Sequence, residues 1–196
     1  MTEPTPTPIG VVLPIRAFRQ AFTRLAGTLS EQGRATLAVR LAERVAAACA
    51  ALPVAVVTSD AEVRAWAAGH DFATVDDPGS LSEAAEAGRR YWADRGALRI
   101  VVVHADLHRI RTLAPVLAVT ADVVVVPCHR EDGTPVLVVS ATEPFGFAYG
   151  PGSFAAHQRA AAGRSLEIVR DVDLAADVDT PEDLAALDPE LLADLA

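Results

Sequence analysis

The chain has 196 residues, of which 51% are hydrophobic and 22% are charged, which is enough apolar content for one packed domain and excludes a disordered chain. Its 26 acidic and 17 basic residues give a net charge of −9, which argues against a nucleic-acid partner or an anionic membrane surface, because both attract positive charge. No charge-free stretch of the sequence reaches the roughly 20 residues of a membrane span.

The N-terminal segment, residues 1–8, alternates Thr and Pro and lacks the basic and apolar regions of a signal peptide. We therefore predict a flexible, extended tail followed by a single domain at residues 9–196. The two cysteines, Cys49 and Cys128, are far apart in sequence, which favours two buried thiols over a disulfide or a metal site. A cytoplasmic location is expected.

The first part of the domain alternates short β-branched runs with alanine-rich helical stretches. The runs are apolar on both faces, which is typical of parallel strands covered by helices on two sides. Ser30 is placed to cap the first helix and Gly69 to end the second. The alternation predicts a doubly wound, Rossmann-like α/β domain. The predicted strands are residues 9–13, 54–58, 100–103 and 123–126, and the predicted helices are residues 30–52, 61–69 and 81–95.

The second half departs from strict alternation. Asp132-Gly133-Thr134 has turn chemistry and precedes a predicted strand at 136–140. The segment 145–153 reads Phe-Gly-Phe-Ala-Tyr-Gly-Pro-Gly-Ser, which excludes a regular helix or a central strand. A helix at 154–162, a strand near 167–169 and a short acidic helical region complete a mostly parallel sheet with an antiparallel part.

Acidic residues occur where the sheet is expected to bind ligands. Asp106 lies just past the strand at 100–103, at the carboxyl edge used by open α/β sheets, where it either binds a divalent cation or caps a following helix. Asp177 and Asp179 precede a helix start in which Thr180 is the N-cap, and we expect both to point to one side of an extended segment. Carboxylates brought together from these positions would hold Mg²⁺.

Two further segments have the chemistry of phosphate binding. The stretch 149–153 enters a helix, so its free backbone N–H groups would attract an anion, unless it is an ordinary glycine-rich turn. His157, one turn into that helix, either faces the anion or forms a hydrogen bond on the helix face. Three arginines, Arg16, Arg19 and Arg24, follow the first strand and form a positively charged group, here called the positive island. Such a group suits a triphosphate. The alternative is that the three arginines are solvated surface residues.

Together these segments resemble one protein family. The matching motifs are Pro-Ile-Arg, Thr-Arg-Leu-Ala, Leu-Ser-Glu-Ala, Ala-Asp-Leu, Asp-Gly-Thr, Tyr-Gly-Pro-Gly-Ser followed by His157, and Asp-Val-Asp-Thr-Pro-Glu-Asp-Leu. Over residues 9–187 the chain is similar to the guanylyltransferases of coenzyme F420 biosynthesis, which join GTP to phosphoenolpyruvate or 2-phospho-L-lactate. The glycine-rich motif with His157 is the sharper marker, since many nucleotidyltransferases share the C-terminal motif.

The resemblance implies a single-domain nucleotidyltransferase fold and a set of residue roles. The implied ligands of Mg²⁺ are Asp106 and Asp177, with Asp179 either as a substitute for Asp177 or as a residue that contacts the ligands. The implied catalytic residues are Arg16, Arg24 and Asp106. The residues implied to hold the phosphorylated acid are Thr134, Gly150 and Ser153, and those implied to contact the nucleotide are Pro14, Arg16, Arg24 and Ser82.

The resemblance also implies the chemistry and the partners. A phosphate oxygen of the acceptor would attack the α-phosphorus of GTP in line and release pyrophosphate. The acceptor phosphate is already ionised, so positioning and charge neutralisation by the metal and the arginines would suffice. The product would pass to a separate downstream F420 transferase through a transient contact, while nucleic acid and membranes are not expected partners.

This chain differs from the family pattern at five positions, one of which, Arg16, stands where lysine is common and keeps the charge. Phe22 replaces a lysine that would meet the triphosphate, and Ser82 replaces an asparagine near the nucleotide. His108 and Pro135 depart from the residues usual at their positions. These changes keep two alternatives open, a non-catalytic binder of the phosphorylated acid and a nucleotidyltransferase for another nucleotide or acceptor. The alanine- and arginine-rich composition, typical of a high-GC genome, favours phosphoenolpyruvate over 2-phospho-L-lactate as the acceptor.

Overall fold

Seven strands form one sheet in the computed structural model, which describes residues 9–195. The predicted tail, residues 1–8, lies outside the described residues. The strands are β1 (Ile9–Pro14), β2 (Val54–Val57), β3 (Ala73–Val75), β4 (Arg99–Val103), β5 (Val123–Val126), β6 (Val136–Ser140) and β7 (Leu166–Ile168). Their order across the sheet is β3-β2-β1-β4-β6-β5-β7.

The sheet is mostly parallel because helical crossovers connect its first four strands. β1 pairs in parallel with β2 and β4, β2 with β3, and β5 with β7. β6 lies between β4 and β5 and is antiparallel to both. The predicted α/β fold with an antiparallel part is confirmed.

The helices cover both faces of the sheet, as the apolar strand runs predict. The helices are α1 (Glu31–Cys49), α2 (Ala61–Gly69), α3 (Leu81–Ala93), α4 (Ala114–Leu117), α5 (Ser153–Ala160), α6 (Pro181–Ala185) and α7 (Pro189–Leu192). Neighbouring residues of β1 show the two faces, since Val11 packs in one buried cluster and Val12 in the other. None of the helices in the described part of the chain is long and apolar enough to cross a membrane.

Local capping signals decide where two of these helices begin. The Ser30 hydroxyl accepts a hydrogen bond from the backbone N–H of Gly33 at 3.0 Å, so Ser30 caps α1 as predicted. Thr180 caps α6 in a reciprocal capping box with Asp183, also as predicted.

Both cysteines are buried and unlinked, and burial raises the pKa of the Cys49 thiol to about 12.

The structure differs from the sequence expectations in three places. β3 was not predicted, because it is a three-residue edge strand without a buried position. α5 begins at Ser153 rather than after it. The alternative that Asp106 caps a helix is wrong, since the next helix, α4, begins at Ala114.

Two contacts place the elements that surround the candidate site. A side chain at Gly88 would clash with Val12, so this glycine lets α3 lie close against β1. The loop after β1 contains two 3-10 turns, Phe18–Gln20 and Thr23–Leu25. Leu25 of this loop is buried in a cluster with Leu37 of α1 and Leu187 beyond α6.

Candidate active site

Two acidic segments meet beyond the carboxyl end of β4. Leu107 pairs with Asp177 in an isolated antiparallel bridge. The backbone N–H of Val178 donates to the carbonyl oxygen of Asp106 at 3.2 Å. These backbone contacts hold Asp106 beside the segment that carries Asp177 and Asp179, so the three predicted metal-ligating residues share one neighbourhood.

Asp106 has the surroundings of a cation ligand. Its Oδ1 is buried and has no hydrogen-bond partner among residues 9–195. Burial, followed by the charges of Asp177 and Asp179, raises the pKa of Asp106 to about 7. A bound cation would stabilise the ionised form of such a carboxyl group, because it supplies the compensating charge that the protein withholds.

Asp177 and Asp179 line different cavities, contrary to the expectation that both point to one side. Asp177 Oδ1 lies 3.1 Å from His129 Nδ1, and its cavity, of about 550 Å³, is also lined by His129. Asp179 instead accepts a hydrogen bond from Arg24 at 2.8 Å. At Asp179 the segment is already bonded to the first turn of α6, since the backbone N–H of Asp179 donates to the carboxylate of Asp183 at 2.8 Å.

A larger cavity, of about 990 Å³, lies between the loop after β1, α1 and the end of β4. We call it the rim cavity. It brings together most of the predicted nucleotide residues and two of the predicted metal ligands. Its lining includes Pro14, Arg16, Arg19, Phe22, Arg24, Arg34, His104, Asp106 and Asp179.

The arginines of the predicted positive island all line the rim cavity. Arg16 donates to the carbonyl oxygen of Gly79 and lies 3.8 Å from Asp77. Arg24 is held by Asp179. All three guanidinium groups are well exposed, so they can move toward a ligand at little cost in desolvation.

Phe22 also lines the rim cavity, in place of the cation that the family pattern has there. Its backbone is left-handed, with φ of 54°. The ring packs against two of the buried apolar clusters, including the one that contains Leu25. Its position supplies apolar contact to the cavity and no charge.

Thr134 is held by a buried histidine. The residue is fully buried, and its Oγ1 lies 3.0 Å from His157 Nδ1. His157 Nε2 accepts the backbone N–H of Ala148 at 3.0 Å, so the neutral ring carries its hydrogen on Nδ1 and donates it to Thr134. Burial lowers the pKa of His157 to about 4. His157 therefore makes a buried hydrogen bond to the predicted acid-binding residue.

The glycine loop, residues 145–153, does not offer the row of free N–H groups that the sequence predicted. The N–H of Gly152 donates to Asp132 Oδ1 at 2.9 Å, and the N–H of Ser153 donates to the Gly150 carbonyl oxygen at 3.0 Å. The N–H of Phe154 donates to the Asp132 carbonyl oxygen at 3.0 Å. These three N–H groups are therefore not free to bind an anion, because Asp132 and the Gly150 carbonyl oxygen already accept their hydrogen bonds.

Ser82 binds the glycine loop rather than lining the rim cavity. Its hydroxyl accepts the backbone N–H of Tyr149 at 2.9 Å. The neighbouring residue on α3, Leu81, does line the rim cavity. Ser82 therefore joins the side that is predicted to bind the nucleotide to the loop that carries Gly150 and Ser153.

Unpartnered buried polar atoms concentrate at this site. Residues 9–195 contain four buried side-chain nitrogen or oxygen atoms without a hydrogen-bond partner. Three belong to residues that line the rim cavity, and the fourth belongs to Tyr149, whose ring lies 5.2 Å from that of His104. Such atoms are rare in folded proteins, and each calls for an explanation such as a catalytic role or a bound ion or water. They are Arg34 Nε, His104 Nε2, Asp106 Oδ1 and Tyr149 Oη.

Sequence reasoning missed Arg34 and His104. Arg34 lies in the first turn of α1, where it reads as an ordinary charged helix residue. His104 follows β4 directly, and only its position two residues before Asp106 hinted at the ligand-binding edge. Burial lowers the pKa of His104 to about 4, so its ring is neutral.

Known proteins share this sequence pattern and this fold. Residues 9–188 match a family model described as "Guanylyl transferase CofC like". The phosphoenolpyruvate guanylyltransferase of Rubrobacter xylanophilus is 32% identical over 90% of this chain and 92% of its own length. The enzyme of the same name from Sphaerobacter thermophilus is 33% identical over 90% of both chains.

A relative with another acceptor and a solved structure complete the comparison. The 3-phospho-D-glycerate guanylyltransferase of Phenylobacterium zucineum is 32% identical over 88% of this chain and 86% of its own length. A nucleotidyl transferase from Methanothermobacter has a similar fold, with a TM-score of 0.61 over 94% of this chain and 97% of that chain. At 16% sequence identity, this second likeness shows the fold alone.

Proposed function

This chain belongs to the CofC-like family of guanylyl transferases, and we propose that it joins GMP from GTP to phosphoenolpyruvate with release of pyrophosphate. The observation that carries the proposal is the rim cavity, where arginines and acidic residues face each other and buried polar atoms lack protein partners. Nucleotide phosphates and a divalent cation satisfy both kinds of group at once.

Asp106 and Asp179 are the residues that would hold Mg²⁺ from the rim cavity, with Asp177 beside them. Residues 9–195 contain no cluster of three or more His, Cys, Asp or Glu side chains suited to a metal. This donor set fits Mg²⁺, which takes one or two carboxylates and completes its shell with phosphate oxygens and water. The bound ion would neutralise phosphate charge as the α-phosphorus is attacked.

Two arginines of the rim cavity, Arg16 and Arg24, would bind and orient the triphosphate. Arg24 lies against Asp179, so it sits where the phosphates and the carboxylates would meet. Arg16 donates a hydrogen bond to the carbonyl oxygen of Gly79, in the loop before α3. Their positive charges would favour the in-line geometry, since they orient the triphosphate so that its α-phosphorus faces the attacking acceptor.

The resemblance predicts that Thr134 binds the acceptor, which requires its fully buried hydroxyl to become exposed. Because its oxygen accepts the Nδ1–H of His157, its own hydroxyl hydrogen is free to be donated to a carboxylate or phosphate of the acid. His157 keeps this direction fixed at neutral pH, since burial holds the ring neutral. The acceptor's phosphate oxygen then bonds to the α-phosphorus of GTP while the bond to pyrophosphate breaks, and the protein supplies no nucleophile.

The choice of acceptor follows the relatives. Phosphoenolpyruvate is named in the enzymes from Rubrobacter and Sphaerobacter, while 2-phospho-L-lactate differs by a methyl group in place of a methylene. The Phenylobacterium relative, which is 32% identical in sequence to this chain, is named for 3-phospho-D-glycerate. That acid is therefore the second candidate acceptor for this chain.

Pyrophosphate release tests the proposal directly. The purified protein is incubated with GTP, Mg²⁺ and each of the three acids in turn, and then with the other nucleoside triphosphates. We expect release with GTP and phosphoenolpyruvate at a rate at least about 10-fold above the other pairs, which is the discrimination that a difference of one small apolar group supports. Release of pyrophosphate only with a nucleotide other than GTP, or no release with any pair, contradicts the proposal.

Calorimetry separates the non-catalytic alternative. A protein that only binds the phosphorylated acid would bind phosphoenolpyruvate and show no heat with GTP and Mg²⁺. Binding of both ligands without release of pyrophosphate would indicate an enzyme that has lost its catalytic activity.

We further propose that the product serves coenzyme F420 biosynthesis through a transient contact with the downstream transferase. The buried free thiols fit a reducing compartment such as the cytoplasm. Transfer of labelled product from this chain to that transferase, faster than through bulk solution, is the measurement that tests the contact.

A further inference from the structure

We propose that Arg34 binds the β- and γ-phosphates of the nucleotide, the part of GTP that leaves as pyrophosphate. The inference deepens the proposed function and rests on it, since it assigns a residue to the same cavity. Four arginines line the rim cavity, and among residues 9–195 Arg34 alone of the four has no acidic partner. The inference rests on this difference.

Three of the four cavity arginines are already neutralised by carboxylates. Arg16 lies 3.8 Å from Asp77. Arg19 pairs with Glu62 at 3.3 Å, and Arg24 pairs with Asp179 at 2.8 Å. Their positive charges are therefore shared with the protein before any ligand arrives.

Arg34 is different. Within the described chain no carboxylate oxygen lies within 4.0 Å of its guanidinium group, although Glu31, one turn earlier on α1, lines the same cavity. Its Nη1 donates to the carbonyl oxygen of Leu29 at 3.0 Å, while its Nε is buried and has no acceptor. The side chain is half-buried, so its position is fixed by packing and by one hydrogen bond.

A cation in this state favours an anionic ligand. A buried donor without an acceptor is unfavourable, because the group has lost its water without gaining a protein partner. Phosphate oxygens supply both the missing acceptor and the missing charge, and the planar guanidinium can meet two of them at once. The ligand that suits Arg34 is therefore a polyphosphate.

The position of Arg24 decides which phosphates remain for Arg34. Arg24 is bound to Asp179, one of the two carboxylates that would hold the metal at the reacting α-phosphorus. Arg34 has no contact with either of those carboxylates and projects from α1, a different wall of the cavity. It is thus placed for the end of the triphosphate that departs.

The test compares Arg34→Met with Arg19→Met, which removes an arginine of the same cavity that already has a carboxylate partner. Calorimetry measures the Kd of GTP, GMP and inorganic pyrophosphate in the presence of Mg²⁺. We expect Arg34→Met to weaken GTP and pyrophosphate by about 10- to 100-fold, as for a charge-assisted hydrogen bond, and GMP by less than about 2-fold. Arg19→Met should change each Kd by less than about 3-fold.

A conservative variant and a folding check guard against a merely structural effect. Arg34→Lys keeps the charge and should retain most of the pyrophosphate affinity, while Arg34→Gln should lose it; circular dichroism establishes that each variant folds. Unchanged GTP affinity in Arg34→Met, or equal losses for GMP and GTP, overturns the inference.

The pyrophosphate measurement separates this inference from the proposed function. If the wild-type protein releases no pyrophosphate from GTP but loses inorganic pyrophosphate binding with Arg34→Met, the function is wrong and the role of Arg34 stands. If the wild-type protein turns over GTP and Arg34→Met binds pyrophosphate normally, the function stands and the role of Arg34 is wrong.

Discussion

The rim cavity and the glycine loop lie side by side beyond β4, yet they treat their polar atoms in opposite ways. In the rim cavity, Asp106 Oδ1 and Arg34 Nε are buried without partners. In the glycine loop, the backbone N–H groups of Ala148, Tyr149 and Gly152 are all bonded to side chains. The loop backbone is thus organised by the protein itself, although Tyr149 Oη of this loop is also buried without a partner, whereas the cavity is completed by its ligands.

This contrast predicts a separation of stability from affinity. Groups left unpaired until a ligand binds cost the free protein stability, so their removal should spare the fold and impair binding. Groups that are paired within the protein should behave in the reverse way when they are removed. The following variants test this separation, from the largest expected effect to the smallest.

The largest effect is expected at the buried carboxylate of the rim cavity. Asp106→Asn should lower kcat/KM by about 1,000-fold or more, because it removes a metal-binding charge. It should raise the melting temperature at pH 8, because it also removes a buried carboxylate that folding must desolvate. Steady-state kinetics and thermal unfolding measure the two quantities.

Glu182→Gln is the matched control for this variant, since Glu182 is an exposed acid in the first turn of α6. It should change neither quantity by more than about 2-fold or 1 °C. An Asp106→Asn protein that is both active and less stable than the wild type would contradict the contrast.

The next effect belongs to the glycine loop. His157→Ala should lower the free energy of unfolding by about 3 kcal/mol, because it removes a fully buried ring and the hydrogen bonds that tie Thr134 to Ala148. Urea unfolding measures the loss. Gln158→Ala, on a neighbouring and less buried position of α5, should cost less than about 1 kcal/mol.

One buried group in each region should respond to pH with the opposite sign, whereas His104 of the rim cavity, whose pKa burial also lowers to about 4, has the same sign as His157. His157 has a folded-state pKa of about 4, below its ordinary 6.5, so the unfolded chain takes up more protons and stability falls as pH drops from 6.5 to 4. Asp106 has a folded-state pKa of about 7, above its ordinary 3.8, so the folded chain takes up more protons and stability rises as pH drops from 7 to 3.8.

Single variants isolate these two contributions. In urea unfolding between pH 5 and pH 7, His157→Gln should flatten the loss of stability toward acid, and Asp106→Asn should steepen it. Each change is at most about 1.4 kcal/mol per pH unit. Two variants that shift the profile in the same direction would show that the assigned groups do not titrate as described.

A smaller effect on stability is expected at the exposed ion pair of the rim cavity. Arg24→Met should raise the KM for GTP by about 10-fold, because a charge-assisted phosphate contact is lost. The free energy of unfolding should change by less than about 1 kcal/mol, since both partners of the Arg24–Asp179 pair are exposed. A large loss of stability with normal KM would reverse the assignment.

The smallest effect is expected where the two regions touch. Ser82→Ala removes the acceptor of the Tyr149 N–H, which should lower the free energy of unfolding by about 1 kcal/mol. Ser82→Asn, the residue usual in the family, restores an acceptor. Equal stability of the wild-type and Ser82→Ala proteins would show that the loop does not depend on this contact.

The sequence by itself determined the local structure of this protein and the family to which it belongs. The apolar runs predicted six of the seven strands, and the hydroxyl groups of Ser30 and Thr180 predicted two helix starts. These features depend on residues within one or two turns of each other, so a linear pattern contains them. The ordered motifs predicted the guanylyltransferase family for the same reason.

Only the tertiary structure decided how distant polar groups meet. The insertion of β6 between β4 and β5 sets the sheet order, and the pairing of Leu107 with Asp177 brings two acidic segments together. Whether a group such as Arg34 or a loop N–H has a partner depends on atoms contributed by distant segments. Burial and hydrogen bonding are properties of the packed chain, and they separate the cavity that its ligands complete from the loop that the protein completes.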